Sequence, residues 1–133
     1  MSDREAEVLR RFVAEGGGLV ATGLCGAKDE RGLDRPGFAI ADVLGVDLLG
    51  HSGDIFDRYL RVDAGHPVTA EFKPGDLLPQ LGRTLVEARE GAQVVATSVE
   101  NSEAAGPGLV VNTFGKGRVA YSPSNLASTY ADP

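Results

Sequence analysis

The chain has 133 residues, a formal net charge of −6 and a pI near 4.8, with 42% hydrophobic and 24% charged residues. That balance fits a soluble globular chain of one domain with a single core, spanning residues 1–133. It argues against nucleic acid, because phosphate binding needs clustered Lys and Arg, and the 13 basic residues here are scattered. One cysteine excludes an internal disulfide and a Cys-rich metal site. The charged start Met1-Ser2-Asp3-Arg4-Glu5 lacks the apolar stretch of a signal peptide, and no apolar run approaches the ~20 residues that span a bilayer. The expectation is a cytoplasmic protein with no membrane partner.

Ser2 or Asp3 is placed to cap a helix, with Glu5 and Glu7 near its positive end. Leu9, Phe12 and Val13 recur at i, i+3, i+4, which predicts a helix from Asp3 to Glu15, stopped by Gly16-Gly17-Gly18. Leu19-Val20-Ala21-Thr22 is too short for a helix and almost wholly apolar, so it reads as the central strand of a parallel, doubly covered sheet. Lys28 to Pro36 reads as a loop, Phe38 to Leu44 as a short helix ended by Gly45, and Val46 to Leu49 as a strand or extended loop. A turn is expected at His51 to Asp54 and a strand at Tyr59 to Val62. His66-Pro67 marks a corner, since proline restricts the residue before it. Phe72 to Gln80 and Asn101 to Gly108 read as loops; Thr84–Ala88 and Ala92–Ser98 read as strands. Leu109–Phe114 and Arg118–Ser122, joined across Gly115-Lys116-Gly117, read as a β-hairpin. The tail from Pro123 is expected to be irregular, with at most one turn at Asn125 to Ser128.

Several of these pieces occur together in a particular order. They are the run Leu9 to Val20, the loop Lys28-Asp29-Glu30-Arg31-Gly32, the segment Ala41-Asp42-Val43-Leu44-Gly45, and the hairpin Asn112 to Tyr121. The ordered set resembles the β-galactosidase trimerisation domain and its class I glutamine amidotransferase-like relatives. That resemblance implies an α/β, three-layer, flavodoxin-like sheet with a C-terminal β-hairpin. It implies a non-catalytic role in subunit association beside a glycoside hydrolase barrel, and hence a homo-oligomer. The barrel is not in the sequence, nor are the first βα units that the family places ahead of the Met1 helix. On that resemblance the chain is expected to correspond to the later two-thirds of such a domain, with an incomplete sheet whose edge a second copy is expected to cover.

Gly23-Leu24-Cys25-Gly26-Ala27 is similar to the G-x-C-x-G nucleophile elbow of the class I amidotransferases, with Ala27 in place of the second Gly. Such an elbow exposes a thiol at a helix N-terminus, which lowers its pKa and supplies oxyanion-hole N–H groups. Here a charged loop with Gly32 follows, not an apolar-periodic helix. No histidine occurs in the last third, so His51 or His66 would have to serve as base. A structural Cys25 outweighs a catalytic one. The expectation is no catalytic site, with Cys25, His51 and His66 kept as the candidates for a small Cys-dependent hydrolase or amidotransferase-like enzyme.

Asp29, Glu30, Asp34, Asp42, Asp47, Asp54, Asp57, Asp63 and Glu71 give the middle of the chain an acidic character. No spacing among them fixes a glycosidase pair or a metal site, so a solvated acidic face is the reading, with neither metal nor cofactor expected. A carbohydrate-binding accessory role would need exposed aromatic platforms. Only Phe38, Phe56, Tyr59, Phe114, Tyr121 and Tyr130 are available for one, and most are better placed in a core. Gly16 to Gly18 precedes a strand where a dinucleotide fingerprint would follow one, so it is a helix stop.

Overall fold

The computed structural model describes residues 1–52, 58–63 and 65–125. Helix α1 spans Asp3–Ala14. Ser2 is its N-cap: the Ser2 hydroxyl accepts from the Glu5 N–H at 3.1 Å, and the Glu5 carboxylate accepts from the Ser2 N–H at 2.6 Å. This reciprocal box satisfies two donors that the first turn would leave unpaired. Ala6 and Val13 are buried on one face of α1, with Leu9 packed partly against the same core.

Strand β1 is Gly18–Thr22 and helix α2 is Ala41–Leu44. The strands that follow are β2, Val46–Ser52, β3, Arg58–Val62, and β4, Leu77–Pro79. After them come β5, Arg83–Ala88, β6, Gln93–Glu100, β7, Glu103–Phe114, and β8, Gly117–Ser122. Six strands form one sheet in the order β1-β8-β7-β6-β3-β4, and β2 and β5 form a separate antiparallel pair. Strand β1 runs parallel to β8, with Gly18 opposite Arg118 and Thr22 opposite Ser122. Every other pairing in the sheet is antiparallel. The fold is therefore α/β with an incomplete flavodoxin-like sheet and the expected C-terminal hairpin, β7–β8.

The expected central strand lies instead at the sheet edge. Residues 19–22 do form a strand, but only β8 pairs with it among the described strands. The apolar run reports that the strand is flanked by apolar material; it does not report how many neighbours the backbone has. Nor do the described residues cover both faces of the sheet. Ala21, Val110, Val119 and Tyr121 face α1 and α2 in the core, while alternate residues Val20, Val111 and Ala120 line the opposite, open face.

Two expected loops contain strands. Leu77–Pro79 pairs with β3 despite its proline, which is tolerated because β4 is an edge. Residues 103–108 extend β7 well before Leu109, and Asn101 and Ser102 adopt positive φ (50° and 66°) to turn β6 into β7. Two consecutive left-handed residues are what a tight hairpin needs, and Asn accepts that conformation more readily than most. The expected turn at His51 is overturned too: His51 and Ser52 continue β2, paired with Thr84 and Arg83. The expected turn at 125–128 lies beyond the described residues from 126 onward.

The core gathers where α1 and α2 meet the sheet. Val13, Ile40, Val43, Leu44, Val46 and Val110 are fully enclosed there. Each such side chain contributes roughly 1.5–3 kcal/mol of burial. Gly45 ends α2 in the left-handed conformation (φ 75°). A Cβ at this position would come within 2.8 Å of Asn112 Cγ. Asn112 itself donates from Nδ2 to the Val43 carbonyl at 2.9 Å, so one β7 side chain satisfies the end of α2.

Candidate functional site

The stretch after β1 is a series of tight turns and not a strand-to-helix elbow. Gly23 N–H donates to the Ser122 carbonyl, Cys25 N–H to Thr22 and Ala27 N–H to Leu24. The next helix does not begin until Ala41, so no helix N-terminus stands behind Cys25. The thiol is half-buried against the core, and burial pushes its pKa up, partly offset by the chain's N-terminal charge. A raised pKa is the opposite of what an activated cysteine needs.

His66 caps the short 3₁₀ turn Pro67–Thr69: its Nδ1 accepts from the Val68 N–H at 3.1 Å. The ring proton therefore belongs on Nε2. His66 borders the open sheet face, whereas Cys25 packs toward the helical face, so the six-stranded sheet separates the two. The His51 backbone lies in the β2–β5 pair; its side chain is outside the described residues.

The acidic residues are dispersed and mostly paired. Asp42 takes a bidentate contact from Arg10 (3.0 Å to Nε) that joins α1 to α2. Burial opposes the charge on Asp42, but the Arg10 hydrogen bonds and charge, with backbone donors, outweigh it and hold the carboxyl below its ordinary 3.8. Asp47 is lowered by hydrogen bonds from Arg89, the closest at 2.7 Å. Asp34 pairs with Lys28 and Asp63 with Arg61. Among the described residues no three His, Cys, Asp or Glu side chains form a metal-sized cluster. Asp54 and Asp57 lie outside the described residues. Phe38 and Tyr121 are buried and meet edge to face at 5.7 Å, so neither offers a sugar platform; Phe56 and Tyr130 are likewise outside the described residues.

Sequence reading missed two features. The first is a buried charged cluster, in which Arg58 Nη2 and Arg83 Nη2 lie 2.9 Å and 3.1 Å from the same Glu100 oxygen. Alternation within β3 and β6 could have placed Arg58 and Glu100 on one face, but nothing in the sequence announces that the face is buried. The second is the open sheet face, a groove of about 610 Å³ floored by Val20, Val111 and Ala120 and walled by His66, Pro67 and Val68. Val20 is 81% exposed, and on α1 Val8 and Phe12 are 60% and 54% exposed. Further exposed apolar side chains, among them Leu33, Leu49 and Leu77, are scattered over other elements.

Comparison with known proteins agrees with this architecture. The family model GATase1_like, "Putative glutamine amidotransferase", matches residues 2–133. The chain belongs to this glutamine amidotransferase-like family. No curated protein sequence matches it. Among solved structures, the β-galactosidase of Rahnella sp. R3 is 24% identical with a TM-score of 0.76, over 90% of this chain and 18% of that one. The β-galactosidase of Bacillus circulans sp. alkalophilus is 22% identical with a TM-score of 0.76, over 90% and 18%. The cytoplasmic protein STM1381 of Salmonella typhimurium LT2 is 27% identical with a TM-score of 0.66, over 91% and 49%. The chain spans about a fifth of the matched β-galactosidases and about half of the Salmonella protein. Among the described residues, Ala27 stands after Cys25-Gly26, turns and not a helix follow it, and His66 borders the opposite sheet face. No described helix is long and apolar enough to cross a membrane.

Proposed function

We propose that the chain is a non-catalytic α/β accessory module that works by self-association, in a natural setting beside a glycoside hydrolase catalytic domain. The observation that carries this reading is that β1 has one strand partner among the described residues, with Val8, Phe12 and Val20 exposed around it. An edge strand is usually guarded by charge, proline or a bulge, and Gly18–Thr22 contains none of these. The raised pKa of Cys25 and its separation from His66 support the absence of cysteine catalysis. Sedimentation equilibrium tests the reading: a homo-oligomer at micromolar concentration is expected, and a well-folded monomer at high micromolar concentration overturns it.

A further inference from the structure

We draw no further inference here: the strongest candidate, the groove on the open sheet face floored by Val20, Val111 and Ala120 and walled by His66, Pro67 and Val68, is an unpartnered apolar face, and nothing in the structure shows what covers it in a chain that spans about a fifth to a half of its structural relatives.

Discussion

Replacing Gly117 by alanine should cost far more than any surface methyl. Gly117 starts β8 directly beneath the end of α1. An added Cβ would fall inside the van der Waals envelope of the Val13 carbonyl oxygen and 2.6 Å from the Gly17 carbonyl oxygen. Both are backbone atoms, so no rotamer change relieves the clash. To make room, α1 and β8 must part. The contacts at stake are the bonds from Lys116 N–H to Ala14 (2.9 Å) and from Arg118 N–H to Gly17 (3.3 Å). Overpacking at the upper end of its usual range, plus one weakened hydrogen bond, comes to about 3 kcal/mol. With an unfolding entropy of about 2.1 cal/mol/K per residue, a chain of this length should lose about 10 °C in Tm. Thermal circular dichroism at fixed protein concentration measures it, because association would otherwise shift Tm. Gly18→Ala is the control: its Cβ meets nothing within 4 Å and its φ is not positive, so Tm should hold or rise slightly. A Gly117→Ala Tm within about 2 °C of the parent would refute the close approach of helix and strand.

Two further substitutions probe the joints of the fold. Tyr121→Phe removes a hydroxyl that donates to the Gly23 carbonyl at 2.6 Å, leaving that acceptor without its partner in a partly buried setting. It should lower stability by about 1–2 kcal/mol, read as a shift in the urea midpoint at constant m. Asp42 has a folded pKa below its ordinary 3.8, so its stabilising contribution is present above that value and is lost as pH falls through the folded pKa. Asp42→Asn should therefore destabilise by about 0.5–1 kcal/mol at pH 7, and it should flatten the decline in stability below about pH 4. An unchanged acid limb in the variant would mean that the Arg10–Asp42 joint is not formed in solution.

The sequence was most legible where one local signal decided the outcome. The cap at Ser2, the glycine stop, Gly45 and the last hairpin all rest on contacts within a few residues, and each forms. The reading weakened where the outcome depended on distant partners. An apolar Leu19–Thr22 looks the same at a sheet's centre and at its edge; only the crossover that brings β8 beside it decides. Asn101-Ser102 passed as loop because the small, glycine-rich residues after it lack strand character, yet they pair with β6 and leave room for Arg83, whose guanidinium lies close over Gly106. For the candidate site, the departures from an elbow pattern around Cys25 were visible in the residues. The separation of Cys25 from His66 by a sheet was not, because both positions precede the strands that intervene.

The pairing of β1 with β8 joins segments about as far apart as this chain allows: Tyr121 and Gly23 are 98 residues apart and share a hydrogen bond. Closing a loop of that size carries an entropic cost on the order of 4 kcal/mol, whereas β7 and β8 meet across a two-residue turn. The meander β6–β7–β8 therefore has reason to assemble first as a template, and the α1–β1 unit to zip onto it last. The same order in reverse makes that unit the cheapest part of the sheet to open, so its amides should exchange with solvent ahead of those in β7.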